Sequence, residues 1–390
     1  MTQNFVRYSP ELEHADPDFD VSLQTVIERT RQYIAESVTA EGTGQAVRDA
    51  HAKGYGLVRA EVEILDGLAP PYAQGIYAHP GQHEALIRFS NGSPHAGADA
   101  RLGNGVGMGL KLFGIDGQTQ LEDEPDSHTF DYALINAPIF FCNTVEHYLF
   151  IQQLFLHTDE YLSRGKPGFH QFLHDWVTGM GTLPPEDWAW DELAALLSFR
   201  RLQSINLLLS TYWTMGAVRH GEYVAKVRAT PTKESAEKVV RRSLDRTSAQ
   251  DVFRPALVAE LQEHSASFDI QVQLCVDLEK MPIEDVTVEW PEHLSPFVTV
   301  ARMRLPQQDI SGKENQEKMD AVSITPWRCT EAHRPLGNIM RARKEVYRQS
   351  SLLRHQLNHQ VRKEPKNLAE IFGVVGSPPT QQAGPSKSGK

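Results

Sequence analysis

The sequence predicts an α+β fold: an antiparallel β-barrel with helices inserted into it and one long helix after it. Three observations lead there. Period-two strands fall into two groups, within residues 57–135 and 222–305. A helical stretch, residues 144 to about 218, divides them. A final helix runs from Asn338 to about Arg362. Strands in two groups around inserted helices suit an α+β domain, and closure is how an antiparallel sheet removes its edges.

The elements follow in order. Residues 1–45 read as an N-terminal arm, broken at Pro10, Asp16 and Pro17, then helical from Val21 to Ser37. Leu57–Leu65 alternates, with Val58, Ala60, Val62 and Ile64 on one face. Ala85, Ile87 and Phe89 alternate against Leu86, Arg88 and Ser90; Met108–Leu112 and Phe130–Ile135 add two more strands. The central helices break at Gly165–Gly168 and Gly179–Pro185. Strands return at Glu222–Ala229, Ser267–Asp277 and Phe297–Leu305, with helices at Lys233–Leu244 and Asp251–His264 between them. Asn338 is the expected N-cap of the last helix. One domain is expected over residues 46–365. Residues 366–390, with Pro378, Pro379, Gly384 and Pro385, read as a flexible C-terminal tail. No internal repeat is visible.

Composition excludes several function classes. The net charge is −11 and the lysines and arginines are scattered, so no nucleic-acid surface or basic membrane patch is expected. No stretch approaches the roughly 18 apolar residues of a membrane span. Cys142, Cys275 and Cys329 stand far apart without metal-site spacing, in keeping with a reducing compartment. Met1 to Glu13 lacks an apolar run after a basic start, so no signal peptide is expected and a cytoplasmic location is.

Chemistry concentrates in the last helix. Arg343 and Tyr347 are spaced i, i+4 and share a helix face. A phenol binds ferric iron well only after losing its proton, and a neighbouring guanidinium favours that loss. Tyrosinate is an axial haem ligand in catalase. Alone, the pair also reads as a solvated helix with a buried tyrosine. Arg354 falls within roughly 40° of both on a helical projection. Three upstream segments give the pair its weight: Arg48-Asp49-Ala50-His51-Ala52-Lys53-Gly54-Tyr55-Gly56, Leu86-Ile87-Arg88-Phe89-Ser90-Asn91-Gly92 and Asn136-Ala137-Pro138-Ile139-Phe140-Phe141.

Together these segments resemble the catalase superfamily over roughly residues 45 to 365. Pro326-Trp327, then His333 to Arg343, then Tyr347 resembles its smaller branch, the catalase-related haem peroxidases. The resemblance implies haem b as cofactor, with Tyr347 as the iron ligand and Arg343 keeping it ionised. It implies His51 as the distal base, Ser90 as the residue fixing its tautomer, and Asn136 as the group orienting the peroxide. Arg48, Arg88 and Arg354 match the arginines that hold the haem propionates, for which a bidentate guanidinium is suited. A homodimer is implied as well, with residues 1–45 able to wrap a partner.

Each residue also has a plain reading: His51 as a satisfied histidine before a glycine turn, Arg88 as an ordinary strand arginine, Asn136 as part of a strand-ending turn. Gly103 to Gly109 imitates a phosphate loop but lacks the Lys-Ser/Thr pair and a following helix, and reads as a close backbone approach in the barrel. His355 and His359 are spaced like zinc ligands, yet no third ligand is evident, so a solvated face is expected. Phe150, Phe155, Trp176, Trp188, Trp190 and Trp213 read as core.

Two departures shape the functional expectation. Ala50, after acidic Asp49, stands where catalases carry a bulkier apolar residue, which should widen or polarise the distal access route. Lys344-Glu345-Val346 replaces the usual aromatic residue and serine between the arginine and the tyrosine. The expectation is a haem peroxidase reducing hydrogen peroxide or an organic hydroperoxide with a small organic electron donor. Catalase, a fatty-acid hydroperoxide lyase or isomerase, and a non-enzymatic haem carrier or sensor are the alternatives.

Overall fold

The computed structural model describes residues 4–40, 44–101, 105–199, 201–245 and 250–373. Nine strands occur among them: β1 (Gly54–Ile64), β2 (Gly81–Asn91), β3 (Val106–Phe113), β4 (Thr129–Ile135), β5 (Tyr212–Trp213), β6 (Val218–His220), β7 (Tyr223–Pro231), β8 (Ala266–Leu274) and β9 (Val298–Leu305). Their neighbour order is β5-β4-β3-β2-β1-β9-β8-β7, and β7 pairs back to β5. This is a closed antiparallel barrel of eight strands, with β6 added to β7 as a hairpin. Closure runs through the two-residue β5, where Ile135 pairs with Trp213 and Trp213 with Arg228.

Period-two patterning builds the interior. Val58, Ala60, Val62 and Ile64 face the core as expected, joined by Ile87, Phe89, Met108, Leu110, Phe130 and Tyr132. β5 and β6 fall in or just after the stretch read as helical, because two- and three-residue strands carry no readable period.

The inserted helices are α2 (Val145–Leu156), α3 (Thr158–Ser163), α4 (Gly165–Thr178) and α5 (Trp190–Phe199). They form a second core around Trp176, shared with α1 (Phe19–Ala40) and α9 (Asn338–Leu357). Between β7 and β8 lie α6 (Lys233–Lys238), shorter than the expected 233–244, and α7 (Phe253–Glu263). An element without a legible pattern is α8 (Lys313–Ala321), which is strongly polar and buries only Met319.

The arm is docked on its own chain. Asn338 is the first residue of α9 rather than its cap, which is Gly337 at φ 88°. The Asn338 side-chain nitrogen Nδ2 instead donates to the His14 carbonyl at 2.7 Å and to Asp16 at 3.0 Å. Within the expected tail, α10 (Leu368–Phe372) packs its apolar side chains near Leu57, Leu86 and Phe113; residues 374–390 lie outside the described residues. No helix among the described residues is long and apolar enough to cross a membrane.

Candidate active site

A cavity of about 1110 Å³ lies where the β1–β4 side of the barrel, α9 and the inserted helices meet. Eight of the predicted residues divide cleanly. Arg48, His51, Arg88, Ser90, Arg343, Tyr347 and Arg354 line it, and Asn136 does not. Asn136 follows β4 and spends its side-chain oxygen on the Val106 amide at 2.9 Å. It is buried beside the cavity's neighbours Leu134 and Ile135 rather than in the wall.

His51 sits in the loop entering β1 with φ +56°, a left-handed conformation uncommon for a non-glycine residue. Several groups hold it there. Arg88 donates to the His51 carbonyl at 3.0 Å. Buried Asn91, a residue the sequence reading passed over, receives the Lys53 amide at 3.1 Å and donates to the His95 carbonyl at 2.8 Å. The ring contacts the Asn91 carbonyl at 2.5 Å and Ser90 Oγ at 3.1 Å, both through Nδ1. A carbonyl can only accept, so Nδ1 carries the proton and Nε2 is left as the base. Burial, then the Arg88 charge, pushes the imidazole down to about 4, so it is neutral at pH 7.

Gly107 makes the slot for this ring. It pairs with Ser90 across β2 and β3, and a Cβ there would stand 2.5 Å from His51 Nδ1. The glycine-rich run is thus a close approach within the barrel at its described residues; Gly103 and Asn104 lie outside them.

On α9, Arg343 Nη2 donates to Tyr347 Oη at 2.8 Å, and its other amino group reaches Met340 Sδ at 3.2 Å. The 3.6-residue repeat brings Tyr347, Ser350, Ser351 and Arg354 to the same cavity.

Buried Arg88 and Arg354 and half-buried Arg48 form one polar wall. Arg48 donates to the Met319, Asp320 and Val322 carbonyls at 3.3, 3.3 and 2.8 Å, and Arg354 to the Asp320 carbonyl at 2.6 Å. Both therefore grip the C-terminal carbonyls of α8, which helix geometry leaves without partners. Asp320, 3.8 Å from Arg48, gives the three little compensating charge. Burial, and after it mutual repulsion, lowers Arg88 and Arg354 well below the ordinary arginine value; burial lowers Arg48. Arg88 Nε is buried without a hydrogen-bond partner. Such a wall calls for an anionic ligand. The phenolic oxygen beside a guanidinium, the neutral imidazole and this orphaned donor all fit a haem with its two propionates.

Other expectations change. His355 is buried, not solvated: its ring nitrogens meet the Ser351 and Ala321 carbonyls at 2.7 and 3.0 Å, while His359 is exposed. Trp190 is 59% exposed rather than core, and Phe155 lines the cavity. Cys142, His147 and Glu192 come within 4.8 Å of one another, a grouping the sequence did not show. Their polar atoms are spent on each other and on the Thr144 and Trp176 carbonyls, which ties α2 to α5.

No family model and no curated protein sequence matches this chain. Solved structures do. A bacterial catalase aligns over 100% of this chain and 71% of its own, with a TM-score of 0.58 at 15% identity. Catalase A from Saccharomyces cerevisiae gives 0.60 at 15% identity, covering 100% of this chain and 78% of its own. A fungal catalase gives 0.52 at 14%, covering 100% and 76%. The chain carries the catalase fold.

Proposed function

We propose that this protein is a haem-dependent peroxidase, reducing hydrogen peroxide or an organic hydroperoxide with a small organic electron donor. One observation carries the reading: a neutral imidazole with its basic Nε2 unspent and a guanidinium-paired phenol face a single cavity that also holds a three-arginine wall. Arg48, Arg88 and Arg354 would bind the propionates, and Tyr347 would ligate the iron. Arg343, donating to the phenolic oxygen at 2.8 Å, would orient that ligand. Bound haem supplies the redox-active iron at which the peroxide oxygen–oxygen bond is broken.

The remaining steps belong to the chain's own residues. His51 Nε2 takes the proton from one peroxide oxygen and returns it to the other, so that water or an alcohol leaves. The Asn91 carbonyl and Ser90 keep the opposite nitrogen protonated, which holds Nε2 ready. Roomy surroundings support an organic donor: Ala50 is small, and Phe140, Phe141 and Phe155 give the cavity apolar walls.

Catalase activity is the second reading, favoured by the likeness to three structures described as catalases. Stopped-flow mixing of the pigmented protein with hydrogen peroxide, with and without a phenolic donor, separates the two. Donor-dependent turnover is expected; fast oxygen release without donor would make the protein a catalase. Tyr347→Phe tests the shared premise. It should lose the pigment or change its absorption spectrum, and an unchanged spectrum would end both readings.

A further inference from the structure

The cavity has a second polar spot, remote in sequence from the arginine wall. α1 turns Val26, Arg29 and Tyr33 towards it, at helical spacing, and α2 adds Gln152. Arg29 Nη1 donates to the Leu149 carbonyl at 2.5 Å, and the guanidinium pairs with no carboxylate among the described residues. Gln152 Nε2 lies 2.9 Å from Thr30 Oγ1, next to Arg29, while its Oε1 is buried without a partner. A hydroxyl both donates and accepts, so the amide can sit either way round against Thr30. Gln152 lines the cavity, and in either orientation one of its amide atoms stays without a partner. With the oxygen on Thr30, the freed Nε2 and Arg29 become two donors on one wall.

Around this pair the cavity is apolar. Phe155, Phe169, Phe172 and Leu173 line it, and Leu162 and Leu197, 51% and 36% exposed, stand at its rim. A haem whose two propionates are met by Arg48, Arg88 and Arg354 has no use for Arg29. Hydrogen peroxide has no apolar surface to bury against these rings.

We propose that Arg29 and Gln152 form a carboxylate subsite for a long-chain carboxylic acid, whose hydrocarbon body lies among the side chains of α2–α5. A guanidinium and an amide N–H both donate to a carboxylate, and the aromatic lining takes the chain. This deepens the peroxidase reading by naming the substrate as a hydroperoxide of such an acid, and rests on that reading for the chemistry alone. Reduction of the hydroperoxide breaks its oxygen–oxygen bond. It consumes two electrons and two protons from two molecules of a one-electron phenolic donor, and leaves the alcohol and water.

The test is binding of an unreactive acid to the full-length pigmented protein. Calorimetric titration with laurate, below its micelle concentration, is compared with methyl laurate. Wild type should prefer laurate at least tenfold. Arg29→Ala should abolish that preference, Arg29→Lys should restore part of it, and Gln152→Leu should weaken laurate alone. Thermal melting and the visible spectrum of each variant report whether fold and pigment are intact. Equal affinity for acid and ester in wild type, or unchanged laurate affinity in a folded Arg29→Ala, would overturn the subsite. Laurate preference in a protein that turns over no hydroperoxide would uphold the subsite and refute the peroxidase reading.

Discussion

Ser350 donates a 2.6 Å hydrogen bond to Asp49, joining the helix that carries Tyr347 to the loop that carries His51. Asp49 is half-buried, and burial raises its carboxyl above the usual range despite this bond and the neighbouring Arg48. Ser350→Ala should cost about 1–3 kcal/mol, because a half-buried acceptor loses its partner. The sign of the pH effect follows from a raised acid: the folded state holds the proton more tightly. Stability is therefore greatest below the unfolded value, near 4, and falls as pH rises towards the folded value. Asp49→Asn should flatten that part of the profile, as measured by urea denaturation between pH 4 and 8.

His51 should stay a base well into acid. Its folded value of about 4 predicts peroxide reactivity that is level at neutral pH and declines only as pH falls towards 4, where Nε2 becomes protonated. His51→Gln should retain pigment and lose roughly 10²–10⁴-fold in turnover, the usual range for a lost acid–base group. Single-turnover kinetics across pH 3.5 to 8 would expose a mid-range break that this burial does not allow.

Gly107→Ala should act on the same ring from behind. The new Cβ would approach His51 Nδ1 at 2.5 Å and Ser90 Oγ at 3.0 Å, so the imidazole must move. An overpacking cost of about 1–3 kcal/mol is expected. Turnover should fall while pigment content holds, measured side by side on one preparation.

Arg88 and Arg354 should separate by what else they hold. Both should weaken pigment retention when changed to alanine. Arg88 also donates to the His51 carbonyl, so Arg88→Ala should slow peroxide reaction per bound pigment, and Arg354→Ala should not. Competition for pigment with apomyoglobin, together with rates normalised to haem, distinguishes the two.

A buried histidine pair sets acid stability. His220 is held at about 4 by burial, and His333, with its ring centroid 5.4 Å away, is lowered well below the usual histidine range by burial and by His220. A depressed histidine stabilises the fold above its unfolded value near 6.5 and loses that contribution as pH falls towards 4. For His220 this amounts to about 3 kcal/mol, at roughly 1.4 kcal/mol per pH unit. His220→Phe should reduce the drop in urea midpoint between pH 7 and 4.5.

Periodicity carried most of the site. The repeat of the last helix put Arg343, Tyr347 and Arg354 on one face, and alternation in β2 turned Arg88 and Ser90 the same way; all five line the cavity. Contacts between distant segments were not legible. The bond from the Val106 amide to the Asn136 side chain, for one, leaves no trace in the local sequence. His355 was read as solvated because α8, the helix that covers it, has almost no apolar face to read. Arg29 and Gln152 reach one cavity only through the packing of α1 on α2, and no spacing within either helix announces that.

The four inserted helices leave the barrel at Ile135 and return at Trp213, and those two residues are paired neighbours in the ring. The whole insertion is therefore a loop on adjacent staves, anchored at what is nearly one point. Lengthening, trimming or exchanging it changes what the chamber admits without altering the register of any other stave, so the shape of the chamber can diverge independently of the residues on the barrel.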